Sequence, residues 1–278
     1  MRIAMTDPKT VPLPSLSGWA LVLGASSGFG EAAALRLAEA GCHVIGVHLD
    51  RRAGMQNVER ITAQIRERGR EAWFFNINAA DMAQRQEVLT EVKKRLDERG
   101  EGEQVRVLLH SLAFGTLRPF VSGAIGETVN AKQMDMTCDV MAHSLVYWVQ
   151  DVLARDLLSS EGRIFAMTST GSNEVWEGYG AVGAAKAALE AHVRQLAFEL
   201  GPRGITANSI CAGVTATPAL SKIPNADGMR NVALRKNPSH RLTVPEDVAN
   251  AIVALAQPCT YWMNGNVLYI DGGEAHSG

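Results

Sequence analysis

The chain has 278 residues, 46% of them hydrophobic and 20% charged, with a formal net charge of −2. These values fit a packed, soluble domain and exclude a tail-like disordered chain. A balance so near neutrality gives no bulk attraction to nucleic acid or to an anionic membrane.

The opening MRIAMTDPKTVPLPSLSG carries three prolines and no long apolar core, so it is neither a signal peptide nor a membrane span. Residues 1–17 read as a loosely ordered leader, and residues 18–278 as one domain. WALVLGA is the first strand, and EAAALRLAEAG its helix, closed by Gly41 as a C-cap. CHVIGVHLD is the second strand, followed by a helix from near Met55 to Arg68. EAWFFNIN is the third, with a charged amphipathic helix from Met82 to Arg99 and a solvated loop over residues 97–104. VRVLLHSLA is the fourth, with a long helix from Met134 to Leu158. GRIFAMTST is the fifth, with a helix from about Tyr179 to Leu200, and GITANSICAG is the sixth. The stretch from about 217 to 243 reads as a loop, and its length and prolines also suit a mobile flap over a site. In TVPEDVANAIVALAQ, Thr243 and Glu246 form a capping box around Pro245, and NGNVLYIDGG is the seventh strand. Short apolar runs alternating with longer periodic segments predict a doubly wound α/β (Rossmann) domain with about seven parallel strands.

Cys42, Cys138, Cys211 and Cys259 stand far apart, which implies neither a zinc site nor a disulfide framework and fits a reducing cytoplasm. The dispersed histidines suggest no metal site.

Between the first strand and its helix lies GASSGFG: Gly24, Ala25, Ser26, Ser27, Gly28, Phe29 and Gly30. Glycines there permit a tight turn and let backbone N–H groups approach a pyrophosphate at the helix N-terminus. About twenty residues on, Asp50 stands where a carboxylate holds a ribose hydroxyl, which favours NADH. Arg51 and Arg52 follow and could instead hold a 2′-phosphate, so NADPH stays open. At the end of the fifth strand Ser169 precedes Tyr179 and Lys186. An ammonium near a phenol lowers the phenol's pKa and can also hold a ribose hydroxyl.

With these motifs in order, and the terminal IDGG, nearly the whole chain resembles the short-chain dehydrogenase/reductase family. Several features resemble its enoyl-acyl carrier protein reductase branch. HSLAF (His110 to Phe114) replaces the usual N-N-A-G, Ala212–Gly213 replaces P-G, and Asp139 stands where ketoreductases have a relay asparagine. The tyrosine stands seven residues before Lys186, whereas ordinary members place it four before, a position held here by Val182. Ser169, ten residues before Tyr179, keeps the ordinary family's serine where many enoyl reductases carry a second tyrosine.

The resemblance implies that Ser111, Leu112, Ala113, Asn78, Ala79, Gly213, Thr215 and Thr217 contact the cofactor, with Val214 near the nicotinamide amide. Lys186 would hold the ribose and polarise Tyr179, and Ser169 would line the site. Trp176 and Phe114 suit either an acyl pocket or plain core, and His110 is structural or near the ribose. The implied partners are an acyl thioester, on acyl carrier protein, in bacterial-type fatty acid synthesis, and three further copies in a homotetramer. Rival readings are a ketoreductase or hydroxysteroid dehydrogenase of the same fold, and a non-catalytic NAD(H)-sensing regulator.

The seven-residue gap has a physical reading. Four residues turn through about 400° and seven through about 700°, so both keep the pair on one helix face. The longer gap moves the phenol outward by roughly 4.5 Å. In ketone reduction, hydride and proton reach adjacent atoms. In enoyl thioester reduction the charge collects on an oxygen three bonds from the hydride acceptor, so its donor must stand farther out.

Overall fold

The computed structural model describes residues 7–100, 102–124 and 126–277. Seven apolar runs form β1 (Trp19–Leu23), β2 (His43–His48), β3 (Ala72–Asn76), β4 (Val105–His110), β5 (Leu158–Thr168), β6 (Thr206–Ala212) and β7 (Val267–Ile270). They make one sheet in the order β3-β2-β1-β4-β5-β6-β7, and every neighbouring pair is parallel. The helices are α1 (Gly28–Ala40), α2 (Arg52–Glu67), α3 (Met82–Arg99), α4 (Ala131–Cys138), α5 (Ser144–Ala154), α6 (Gly180–Leu200), α7 (Ala226–Lys236) and α8 (Pro245–Leu255).

Strand periodicity sorts the core into two layers. Trp19, Leu21 and Leu23 of β1 join Val88, Leu89, Trp148 and Leu189 on one face. Ala20 and Val22 join Leu37, Ile61, Val248 and Ile252 on the other. Successive side chains point to opposite faces, so a strand covered on both sides must be apolar throughout. Chain order reverses between β1 and β4, and this fold opens a crevice at the carboxyl ends of the strands there.

Gly41 caps α1 as expected, with φ 122° and its N–H donated to the Leu37 and Ala38 carbonyls. Several boundaries differ. The helix α2 begins at Arg52, three residues before the expected Met55, and α3 takes the start of the expected 97–104 loop through Arg99. Instead of one helix from Met134 to Leu158, a π turn at Asp139–His143 joins α4 to α5. The earlier start comes from Asn130, whose side chain accepts the Gln133 N–H at 2.9 Å while Gln133 Oε1 accepts the Asn130 N–H at 3.1 Å. The end comes at Ala154, before Asp156 takes a left-handed φ of 53° and Leu158 enters β5.

The expected Thr243–Glu246 capping box is also shifted. Val244 is the N-cap of α8, and Asp247 accepts its backbone N–H at 3.0 Å. Valine has no side-chain acceptor, so only this half of a box forms. Residues 217–243, expected as loop or flap, contain α7, capped by Asn225 through the Gly228 N–H at 3.2 Å. The leader differs as well. Its residues 1–6 lie outside the described residues, but residues 8–16 are tied to α1 and α8. Asn250 Nδ2 donates to the Pro8 carbonyl at 2.8 Å, Arg36 to Val11 at 2.8 Å, and Leu16 N–H to Ala40 at 2.7 Å. Among the described residues no helix is long and apolar enough to cross a membrane.

Candidate active site

A cleft of about 1050 Å³ is lined by residues from the strand ends and the loops beyond them. One part of its lining is the β1–α1 turn. A Cβ on Gly24 (φ 90°) would collide with the Ser111 carbonyl oxygen, and one on Gly30 with the Gly24 carbonyl oxygen. Only glycine allows these backbones to pack so closely. Asn57 braces the turn through the Ser26 carbonyl at 2.7 Å and Glu31 at 3.0 Å. Ser27 is the N-cap of α1 but makes no side-chain cap. The first-turn N–H groups of a helix point toward anions such as a pyrophosphate.

Asp50 lies beyond β2 in the cleft wall, held firmly. Its Oδ2 is 2.9 Å from His48 Nδ1, and Asn76 bonds both its backbone N–H and carbonyl, at 3.0 and 2.9 Å. Arg51 also lines the cleft, whereas Arg52 opens α2 outside the lining. Asn78, Ala79, Ser111, Leu112 and Ala113 line the same side, with the Ala79 carbonyl accepting Trp148 Nε1–H at 2.8 Å. Gly213, Thr215 and Thr217 line the far side. Thus the residues singled out for cofactor contact border one continuous cavity, and the closed glycine cradle suits a dinucleotide.

Among the described residues no group of His, Cys, Asp and Glu side chains could hold a metal ion.

The three expected catalytic residues meet between β5 and α6. Tyr179 is the residue just before α6, with φ −88° and ψ −2°, and its phenol lies 3.2 Å from Ser169 Oγ. Ser169 and Thr170 had been expected inside the fifth strand, but both lie beyond it. Lys186 is buried and donates to the Met167 carbonyl at 2.6 Å. Burial pulls its pKa down to about 8, against the upward pull of Glu190. The expectation that the ammonium lowers the phenol's pKa is not met. Burial raises the Tyr179 pKa, opposed by the Ser169 hydrogen bond, because the phenol's partner is Ser169 while the ammonium is engaged by Met167.

Val182, at the ordinary family's tyrosine position, is buried with Met141 and Ala185. No second phenol therefore competes with Tyr179 at that place. Trp176 and Phe114 both line the cleft, and Trp176 Nε1–H donates to the Pro224 carbonyl at 3.0 Å. His110 lies outside the lining, fully buried, with Nε2 2.8 Å from Ser144 Oγ. Ser144 donates its own proton to Val140 at 2.7 Å, so Nε2 carries the ring proton and His110 is structural. Asp139 also lies outside this cleft, beside Tyr147.

Some determinants were invisible in the sequence reading. A Cβ on Gly171 would strike the Tyr179 ring, and one on Gly115 would meet Thr137, Val182 and Met141 at 2.8–2.9 Å. Gly171 thereby fixes the depth at which the phenol sits. The π turn brings Val140 and Met141 into the cleft wall, in keeping with the frequent placement of such turns at functional sites. Glu274, in the C-terminal segment, accepts the Val214 N–H at 3.2 and 3.3 Å. That N–H follows the quoted Ala212–Gly213, and the carboxylate was findable only from the fold.

The family model described as enoyl-(acyl carrier protein) reductase matches residues 24–274. The chain belongs to this family of short-chain dehydrogenases/reductases. Its members differ in chemistry. A cyclohexanol dehydrogenase of Rhodococcus is 28% identical over 95% of this chain and 98% of its own length. An NADH enoyl-acyl carrier protein reductase of Rhizobium meliloti is 37% identical, over 43% of this chain and 45% of its own. An enoyl-acyl carrier protein reductase of Anaplasma phagocytophilum, solved with NAD, superposes with a TM-score of 0.78 at 19% identity, covering 94% of this chain and 93% of that one. This last likeness concerns the fold.

Proposed function

We propose that this family member reduces the 2,3 double bond of an enoyl thioester, carried on acyl carrier protein, using NADH. The observation that carries the reading is the position of the phenol: Tyr179 stands just before α6 in the cleft, while Val182 is buried in the core. A donor set back in this way suits an oxygen remote from the carbon that accepts hydride.

The glycine turn, Asp50 and Thr217 would hold the dinucleotide, which supplies hydride for the β-carbon. Asp50 favours a free ribose hydroxyl there, and Arg51 is the group that would tolerate a phosphate. Lys186 supplies a positive charge to the ribose side of the cleft. Tyr179 donates to the thioester oxygen as negative charge develops there, since its raised pKa keeps the phenol protonated at neutral pH. Ser169 orients that hydroxyl at 3.2 Å. Trp176 and Phe114, with Val140 and Met141, give the acyl chain an apolar wall and keep water from the developing charge. Acyl carrier protein as donor and assembly as a homotetramer belong to the same proposal.

One observation favours a second reading. A serine 3.2 Å from the phenol also suits carbonyl reduction, in which both hydroxyls serve one oxygen. Supplying crotonyl and acetoacetyl thioesters separately, each with NADH and with NADPH, separates the two. The proposal expects rapid NADH consumption with the crotonyl thioester. Consumption with the acetoacetyl thioester alone would replace it by ketoreduction, and binding without turnover on either would leave a cofactor sensor.

A further inference from the structure

Lys186 and Glu190 are one helical turn apart on α6, and both are buried, with 5% and 7% of their surface exposed. The last two residues of β5 hold them separately: the Met167 carbonyl accepts the ammonium at 2.6 Å, and the Thr168 hydroxyl donates to Glu190 Oε1 at 2.6 Å. Met167, Thr168 and Lys186 line the cleft, but Glu190 does not. A buried carboxylate costs several kcal/mol of lost hydration unless something nearby repays it. One hydroxyl donor does not suffice, and the only buried positive charge within a helical turn is Lys186.

The other titratable groups around the ammonium are neutral in the working range. His110 on β4 has its pKa pushed down to about 3 by burial, and Cys211 on β6 has its thiol pushed up to about 12. Glu174, Asp271 and Glu274 act on Cys211 from farther away. Tyr179 is held protonated by its own burial. Glu190 is therefore the group whose charge bears on Lys186 from behind the cleft wall.

We infer that Glu190 is a positioning residue: from one turn behind, its carboxylate keeps Lys186 charged, so that the cleft meets a dinucleotide with an ammonium. The inference rests on the reading that this cleft holds a nicotinamide dinucleotide, and not on which thioester is reduced. Burial alone disfavours the charged form of a lysine, and an opposite charge within about 4–6 Å restores it by roughly one to three pH units. Glu190 makes no contact with the cofactor space, so its effect must pass through the protonation of Lys186.

The test is NADH binding, followed by fluorescence between pH 6.5 and 9.5 with no thioester present. In the unaltered protein, affinity falls as Lys186 loses its proton, with a midpoint near 8. Lys186→Met abolishes that midpoint. Glu190→Gln keeps a group able to accept from Thr168 but removes the charge, and moves the midpoint down by about one pH unit. Affinity at pH 6.5 falls less than at pH 8.5. Thr168→Val, which leaves both charges but frees the carboxylate, moves the midpoint in the same direction by less. A Glu190→Gln midpoint equal to that of the unaltered protein, or an equal loss of affinity at every pH, overturns the inference. If Glu190→Gln does not fold, an unmoved midpoint in Thr168→Val overturns it instead. Persistence of the midpoint in Lys186→Met does so too. Failure of enoyl reduction leaves all these readings intact, so the two proposals fail separately.

Discussion

The two sides of the cleft are specified in different ways. On the dinucleotide side, backbone meets backbone: Gly24 against Ser111, and Gly30 against Gly24 itself. No side chain can adjust to relieve an error there. On the acyl side, side chains set the shape: the Asn130–Gln133 cap starts α4, the π turn presents Val140 and Met141, and Trp176 reaches the Pro224 carbonyl. Contacts of this kind can be lost one at a time. The comparison teaches that the cofactor half is a rigid frame, whereas the substrate half is where a family with one fold can change its chemistry.

The sharpest way to break the frame is Gly30→Ala. The added methyl would meet the Gly24 carbonyl oxygen, with no flexible side chain to yield. Stability should fall by about 3 kcal/mol or more, with loss of NADH binding. Denaturant unfolding and a fluorescence titration check both. An effect under about 1 kcal/mol would mean the turn is softer than its contacts suggest.

His110 tests the wall between the halves. Burial lowers its folded pKa to about 3, against 6.5 in the unfolded chain. Between those values the unfolded chain binds the proton and the folded one does not, so stability is lost as pH falls below 6.5. The slope is about 1.4 kcal/mol per pH unit, or roughly 2 kcal/mol by pH 5. His110→Asn should be less stable at pH 7 yet lose less on acidification, as thermal unfolding at the two pH values would show. Equal acid sensitivity would remove His110 as the cause.

Asp50→Asn probes cofactor choice without disturbing the frame. The preference for NADH over NADPH should fall by roughly tenfold, because the amide no longer repels a 2′-phosphate. Steady-state kinetics with both cofactors reads this, and an unchanged ratio would shift the choice to Arg51. The smallest effect belongs to the acyl side. Asn130→Ala should cost about 1 kcal/mol, with NADH affinity unchanged, since only the start of α4 frays. A parallel loss of NADH affinity would show that the halves are coupled.

The same contrast explains what could be read from the chain. Strand alternation, the glycine turn and the Gly41 cap are local signals, so β1 to β7 and the dinucleotide frame were legible, with errors of a few residues at the ends. The π turn has no such signal, since its extra residue is fixed by packing between α4, α5 and α6. The run at 217–243 read as a loop because its prolines and polar residues masked α7, and Thr243 looked like a cap until Val244 took that position. Asp50, Ser169, Tyr179 and Lys186 were legible as cleft residues, but their wiring was not. Spacing placed Lys186 on the tyrosine's helix face, yet only the fold shows the ammonium on Met167 and the phenol on Ser169. Glu190 and Glu274 carried no motif at all.

The central claim concerns one hydroxyl group. Turnover of a crotonyl thioester by Tyr179→Phe, measured beside its NADH dissociation constant, tests it most directly. The account predicts a fall in turnover of roughly 10²–10⁴-fold with NADH affinity changed by less than about threefold. Equal losses in both quantities would contradict it, making the phenol a cofactor contact and leaving the thioester oxygen to another donor.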